Sequence, residues 1–277
     1  MRPLFNNTSF QSLIFVICLF VIIIILNLTL HLLYPKNFIK ANIFLKFLKK
    51  FFYKKSRSNA VNSEKELAEN CNIIVLSVKP HIIPVVLKNL SGNEKKDTII
   101  LTIAAGISIS VIENALGEDK KVVRTMPNTP AQVLSGMTAV TFNKNIENSE
   151  KEIIFKLLNS FGKSVEIEEK LMHAYTGISG SLPAYVYMFM EALADGGVLC
   201  GMPRDKAYEI VAQTVAGSAK MLLETGKHPG QLKDEVCSPA GTTIEAVRVL
   251  ENGNFRGNVI EAVAACTEKS KEMAGEK

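Results

Sequence analysis

Short apolar runs alternate with amphipathic segments along the middle of this 277-residue chain. Apolar runs of four to eight residues are typical of buried strands, and apolar positions three and four apart indicate helices that pack on a sheet. Such alternation predicts an α/β fold with a parallel sheet. The strands are expected at residues 72–78, 98–103, 121–126, 138–142 and 164–167, and the helices between them at 81–90, 108–116 and 147–161.

Ligands of parallel sheets bind beyond the carboxyl ends of the strands. In this chain those ends fall at residues 77–80, 104–106 and 127–130. We therefore expect a binding site along this edge of the sheet.

Strand patterns stop after residue 167, and only helical patterns follow, at 169–178, 182–200, 203–224, 229–236, 244–250 and 254–273. The segment 182–200 is apolar on nearly all sides, so a helix there must be buried all round. A subunit interface is the favoured explanation, and packing within one chain is the alternative. The pattern predicts a sheet domain at 62–167 and an all-helical domain at 168–277.

The first 61 residues differ in composition from the rest. Residues 13–26 carry no charge and the apolar stretch continues to residue 33, which predicts a transmembrane helix within residues 1–33. The basic linker at 34–61 would leave the remainder in the cytoplasm, anchored to the membrane. Residues 38–53 suit an amphipathic helix on a membrane surface, with an unstructured basic linker as the alternative. Membrane contact is thus expected through residues 13–57.

The formal net charge of +5 is unevenly spread. Residues 1–63 hold nine basic and no acidic side chains, and the remaining 23 basic and 27 acidic side chains give the body a charge of −4. A slightly acidic body excludes a broad nucleic-acid surface. The five cysteines are scattered without a CxxC pair, which favours reduced thiols in the cytoplasm over disulfides or a zinc site.

The run CSPAGTTIE at 237–245 is a turn that leads into a helix. Thr242 and Glu245 have the spacing of a capping box, which predicts a helix that starts there. A helix start of this kind directs several backbone N–H groups at one point, so it can bind a carboxylate with help from the hydroxyls of Ser238, Thr242 and Thr243. An ordinary helix cap is the alternative.

The side chains of this sequence favour a reaction whose chemistry is supplied by a cofactor. No Ser-His-Asp arrangement is evident, and the four histidines lack the spacing of metal ligands, so no metal site is expected. Hydride transfer from a nicotinamide suits such a chain, because the protein then supplies binding and orientation.

Several blocks follow one another in a diagnostic order: SVKP at 77–80, AAG at 104–106, RTMPNTP at 124–130, GISGSLPAYVYMFMEALADGG at 177–197 and HPGQLKDEVCSPAGTTIEAVRVLE at 228–251. Together they resemble the pyrroline-5-carboxylate reductases, from about residue 62 to the C-terminus. A long signature with ordered flanking blocks is far more specific than a lone glycine motif.

The resemblance implies an NADPH-linked reduction of 1-pyrroline-5-carboxylate to L-proline, a step of proline biosynthesis, with NADH left open as the donor. It implies a Rossmann-like domain followed by an all-α dimerisation domain, and a homodimer or a larger homo-oligomer. The implied substrate-binding residues are Ser238, Gly241, Thr242, Thr243 and Glu169, with Thr243 as the catalytic residue. The implied cofactor-binding residues are Val78, Lys79, Pro80, Ala105 and Asn128.

The chain departs from the family pattern at its N-terminal end. Family members begin with a strand and a G-x-G-x-M loop, whereas this chain has no glycine before Gly92. Glu64 stands about where the family has an asparagine near the adenosine. Three hypotheses follow: an active imine reductase, a membrane-tethered inactive relative that acts as a dimerisation or interaction protein, and a normal reductase whose first residues result from a shifted reading frame or start.

Overall fold

The computed structural model describes residues 63–276. The transmembrane helix, the basic linker and the membrane contact predicted for residues 1–61 lie outside the described residues. Among the helices that the structure does describe, none is both long enough and apolar enough to cross a membrane.

Two compact units make up the described part of the chain. The first contains the described residues up to Tyr175 together with those from Ser270 onward, and the second is Thr176–Lys269. The predicted boundary between sheet and helical domains, at residue 167, falls a few residues before this division, because the short helical turns at 169–175 belong to the first unit.

The first unit is built on a five-stranded sheet with the strand order β1-β2-β3-β4-β5. The strands are β1 (Ile73–Leu76), β2 (Ile99–Thr102), β3 (Lys121–Pro127), β4 (Gly136–Phe142) and β5 (Gly162–Glu166). The helices of this unit are α1 (Glu64–Asn70), α2 (Ile83–Leu90), α3 (Ile109–Leu116), α4 (Asn148–Leu158) and α5 (Met172–Tyr175). The predicted α/β alternation is confirmed.

Alternate residues of the strands point to opposite faces of the sheet and form part of two hydrophobic cores, one on each face. On one face Ile74, Ile100 and Val122 pack with apolar residues of α1, α2 and α3. On the other face Leu101 and Val123 pack with apolar residues of α4. All four positions of β2 are buried, as expected for a central strand that is covered on both sides.

Two strands, β4 and β5, differ from the all-parallel arrangement that the sequence pattern predicts. Strands β1, β2 and β3 are parallel, but β4 pairs antiparallel with β3, and β5 is parallel to β4. The connection from Pro127 to Gly136 contains only the 3-10 turn Thr129–Val133. A parallel return needs a crossover of a dozen or more residues, so this short connection reverses the strand direction.

The second unit is entirely helical. Its helices are α6 (Leu182–Leu199), α7 (Arg204–Thr225), α8 (Pro229–Val236), α9 (Thr242–Asn252) and α10 (Phe255–Ala274), and the π-helical turn Thr176–Gly180 precedes α6. The last turn of α10, from Ser270, belongs to the first unit. Large apolar side chains of α6 are exposed in the single chain, with Tyr187 at 62%, Met188 at 70% and Leu199 at 89%. So many exposed apolar side chains on one helix are typical of a surface that a partner covers.

A pair of glycines fixes the contact between β4 and β5. Gly136 lies directly opposite Gly162 in the register. Gly162 has φ +155°, and a Cβ atom at Gly162 would stand 2.0 Å from the carbonyl oxygen of Gly136. This backbone conformation is almost restricted to glycine, so the two strands meet here because side chains are absent.

Gly162→Ala tests this contact. We expect it to lower the free energy of unfolding by about 2–4 kcal/mol, since the new methyl group collides with backbone and the positive φ adds strain. Gly92→Ala is the matched control, because Gly92 has φ +77° but open space around its Cβ position. Urea unfolding measures the loss of stability in both variants, and the excess loss in Gly162→Ala over Gly92→Ala reports the collision. Equal losses of unfolding free energy would contradict the proposed collision.

Candidate functional site

The carboxyl ends of β1, β2 and β3 bring the expected cofactor residues to one edge of the sheet. Val78, Lys79 and Pro80 directly follow β1, Ala105 follows β2, and Asn128 follows β3. Because these three strands are adjacent and parallel, their C-terminal loops share that edge. The predicted ligand edge therefore has the required geometry, and the role of each residue in it stays a prediction.

Side-chain hydrogen bonds hold the loops after β2 and β3 in place. The Thr102 hydroxyl oxygen accepts from the Ala104 N–H at 3.2 Å, and the Thr125 hydroxyl donates to the Thr102 carbonyl at 2.9 Å. The Asn128 side-chain oxygen accepts from the Met137 N–H at 2.9 Å. Asn128 thus ties the end of β3 to the start of β4, which fixes its position at the sheet edge.

The structure offers a partial fit for a nicotinamide dinucleotide. The Ser77 hydroxyl oxygen is buried and has no hydrogen-bond partner among the described residues. Because buried hydroxyls are normally hydrogen-bonded, this oxygen could accept a polar atom of the dinucleotide as its partner. Beside it lies an apolar cleft of 110 Å³, lined by Glu64, Leu67, Ile74, Val75, Leu76, Ser77, Val78, Val86 and Leu90. In the described residues ahead of β1 there is no glycine-rich turn for the phosphates.

A buried ion pair anchors the loop between β2 and α3. Arg124 of β3 is only 3% exposed, and its guanidinium donates to the Glu169 carboxylate at 2.8 Å. The same carboxylate oxygen accepts from the Ile109 N–H, the first of α3, at 2.8 Å. Glu169 thus neutralises a buried cation and also caps a helix start. Its predicted role at the substrate stays a prediction, but its carboxylate already has two partners within the first unit.

The predicted carboxylate site is a tight turn that precedes α9. The Gly241 N–H donates to the Ser238 carbonyl at 3.1 Å, which closes a four-residue turn with Pro239 at its second position. Ala240, the third residue, has φ +54°. Proline followed by a positive φ is typical of a type II turn, in which glycine normally occupies the third position. A non-glycine residue held there stores strain, as is common at functional sites.

The capping box predicted for Thr242 and Glu245 is wrong. Gly241 is the N-cap residue, Thr242 is the first residue of α9, and the helix start receives no side-chain cap. Glu245 instead pairs with Arg248 one turn later, and this hydrogen bond lowers the pKa of the Glu245 carboxyl. Because no cap takes them, the first N–H groups of α9 remain available to an anion.

The hydroxyls around this turn differ in their surroundings. The Ser238 Oγ atom lies 2.3 Å from the position that a Cβ on Gly241 would occupy, so a side chain at 241 would require the Ser238 hydroxyl to rotate away. Thr243 is half-buried and Thr242 is exposed. Among the described residues the Thr243 hydroxyl has no hydrogen-bond partner, which leaves it able to bind a ligand beside the bare N–H groups.

The predicted site residues fall into two groups. Ser238, Gly241, Thr242 and Thr243 lie together in the second unit, whereas Glu169 and the five cofactor candidates lie in the first. Sequence reasoning missed the Arg124 contact with Glu169. A signal did exist, because an arginine in the middle of a buried strand is rare unless a carboxylate pairs with it.

Two family models match the chain. The model described as pyrroline-5-carboxylate reductase dimerisation matches residues 169–273. The model described as NADP oxidoreductase, coenzyme F420-dependent, matches residues 43–106. The second match starts at residue 43, ahead of residue 62, where the resemblance was expected to begin.

Relatives with curated names and solved structures agree with these models. The pyrroline-5-carboxylate reductase of Escherichia coli is 50% identical over 216 residues, which cover 78% of this chain and 80% of the relative. The soybean (Glycine max) enzyme is 42% identical over 212 residues, which cover 76% of this chain and 77% of the relative. A Plasmodium falciparum pyrroline carboxylate reductase structure with NADP bound has 39% identity, a TM-score of 0.73 and coverage of 79% and 84%.

Glu169→Gln tests the ion pair. We expect the variant to lower the free energy of unfolding by about 1–3 kcal/mol, because the buried Arg124 loses its counter-charge while the hydrogen bonds keep an acceptor. Glu251→Gln, which removes the charge from an exposed pair with Arg256, is the control and should change stability little. Thermal unfolding measures both, and similar losses would argue against a special role for Arg124.

Proposed function

The chain belongs to the pyrroline-5-carboxylate reductase family, and we propose that its Ser238–Thr243 turn holds the carboxylate of the substrate during reduction. The activity is the NAD(P)H-dependent reduction of 1-pyrroline-5-carboxylate to L-proline, a step of proline biosynthesis. The observation that carries the site assignment is the uncapped start of α9 beside the unpartnered Thr243 hydroxyl. A helix start of this kind attracts a carboxylate through its N–H groups and its dipole.

Each residue of the turn has a distinct task in this proposal. Ser238 closes the turn through its backbone carbonyl, which accepts from the Gly241 N–H, and its hydroxyl is a candidate donor to the carboxylate. Thr242 contributes its backbone N–H. Thr243 contributes its backbone N–H and its hydroxyl, and we assign to this hydroxyl a contact with the ring nitrogen, which makes Thr243 the candidate catalytic residue. Glu169 remains a candidate on the substrate side, although Arg124 and the start of α3 already occupy its carboxylate.

The cofactor residues lie at the carboxyl edge of the sheet. We propose that Val78, Lys79 and Pro80 line the dinucleotide, that the backbone at Ala105 lies against it, and that Asn128 marks its nicotinamide end. NADPH is the proposed cofactor, because the matched family model is an NADP oxidoreductase and a 39%-identical structure carries NADP. When bound, it supplies the hydride that the imine carbon accepts.

The protein's contribution to this reaction is binding and orientation. Reduction adds one hydride to the imine carbon and leaves one proton on the ring nitrogen, and this proton comes from solvent. A carboxylate held at the turn fixes the ring relative to the donor, and such fixation can supply about 7–11 kcal/mol of the barrier in well-oriented systems. No strongly basic or nucleophilic side chain is needed for this step.

The helical unit supports a homo-oligomer. Its match to the dimerisation model covers residues 169–273, and α6 exposes a continuous apolar face in the single chain. We propose a homodimer as the smallest assembly, in the cytoplasm, where the four described cysteines are free thiols. A membrane anchor within residues 1–61 stays a prediction.

Thr243→Ala tests the substrate site. We expect the KM for pyrroline-5-carboxylate to rise about tenfold or more, because a hydrogen bond to a charged group contributes roughly 1.5 kcal/mol or more. Thr242→Ala is the matched control, since its proposed contact is through the backbone, and its KM should stay close to wild type. Initial rates at saturating NADPH measure both, and an unchanged KM in Thr243→Ala would remove the hydroxyl from the site.

Glu64→Gln tests the cofactor side. Glu64 lines the cleft beside β1, where its charge would repel a phosphate. In water, two unit charges about 8 Å apart repel each other by roughly 0.5 kcal/mol. If a phosphate binds at about this distance from residue 64, removing the Glu64 charge should lower the KM for NADPH about twofold. Glu69→Gln, on the same helix but paired with Lys65, is the control. A wild-type chain without NADPH-dependent turnover would instead favour the inactive, tethered relative.

A further inference from the structure

The last residues of the chain form a structured C-terminal segment, Ser270–Glu276, that belongs to the first unit. Helix α10 ends at Ala274, and Gly275 follows with φ +76°. The Gly275 N–H donates to the Glu272 carbonyl at 3.0 Å, and the Glu276 N–H donates to the Lys271 carbonyl at 3.1 Å. This pair of bonds is a Schellman motif, which turns the chain back on itself at the helix end.

Both ends of the C-terminal segment meet one buried histidine. His173 of α5 is 4% exposed. Its Nδ1 atom lies 2.9 Å from the Ser270 hydroxyl, and its Nε2 atom lies 3.3 Å from a Glu276 carboxylate oxygen. The segment thus provides a partner for each ring nitrogen. Because a buried polar atom without a hydrogen bond is energetically costly, these two contacts stabilise the segment in this position.

The same segment lies against the loop that follows β2. Gly106, next to the cofactor candidate Ala105, has φ +74°, and the Met273 carbonyl oxygen and the Ala274 Cα atom lie 3.8 and 3.9 Å from its Cβ position. These are the nearest atoms to that position, at van der Waals distance. The loop therefore has the C-terminal segment on one side and the Glu169 bond to Ile109 at its exit.

From this arrangement we propose that the C-terminal segment is a clasp that positions the Ala104–Ile107 loop for the dinucleotide, with His173 as the positioning residue that holds the clasp. The proposal rests on the proposed function, in which Ala105 lines the cofactor. It assigns a task to the chain end and to a histidine that touches neither substrate nor cofactor. Loosening the clasp should affect cofactor binding and leave the Ser238–Thr243 turn unaffected.

The first test opens the clasp at its turn with Gly275→Ala in the full chain. Gly226→Ala is the matched control, because Gly226 also ends a helix with positive φ, at +63°, and has open space at its Cβ position. Without cofactor, amide hydrogen exchange over residues 103–109 should become at least about fivefold faster in Gly275→Ala and stay unchanged in Gly226→Ala. Unchanged exchange over 103–109 in Gly275→Ala would overturn the proposal.

The second test removes the charge that faces His173, with Glu276→Gln, and uses Glu251→Gln as the exposed control. We expect the KM for NADPH to rise about threefold in Glu276→Gln and in Gly275→Ala, with kcat and the KM for pyrroline-5-carboxylate within twofold of wild type. Equal changes in both KM values, or none, would overturn the positioning role. If the wild-type chain shows no NADPH-dependent turnover, the proposed function fails, and the exchange measurement still decides whether the clasp exists.

Discussion

The organisation of the first unit depends on a single buried charge. Arg124 is in the interior of β3, where burial of a charge without a partner would cost several kcal/mol. Glu169 provides that partner, and it comes from the short helical run that follows the last strand. Because the Glu169 carboxylate also accepts from the start of α3, the exit of the β2 loop is fixed by the same contact. Charge burial in one strand thus determines the geometry of a loop at the ligand edge.

The short helical run at 169–175 has two structural tasks. Glu169 holds the exit of the β2 loop, and His173, one turn later, holds the C-terminal segment that lies against Gly106. A few residues between the sheet and the helical unit therefore fix the loop that we assign to the cofactor.

Much of the fold could be predicted from the sequence, because buried strands and amphipathic helices have different periods of apolar residues. The direction of β4 depends on the length of the connection between Pro127 and Gly136, which is too short for a parallel return. The capping box at Thr242 failed because the N-cap is Gly241, one residue earlier, so Glu245 stands at the fourth helical position and pairs with Arg248. Contacts such as Arg124 with Glu169 or His173 with Ser270 join distant positions. The buried arginine indicates that it has a partner, but no local pattern reveals which residue that partner is.

The proposed substrate turn works through backbone N–H groups and one neutral hydroxyl rather than through a titrating side chain. Backbone donors need no proton of their own to be moved, so the turn can hold a carboxylate over a wide pH range while the cofactor supplies the hydride.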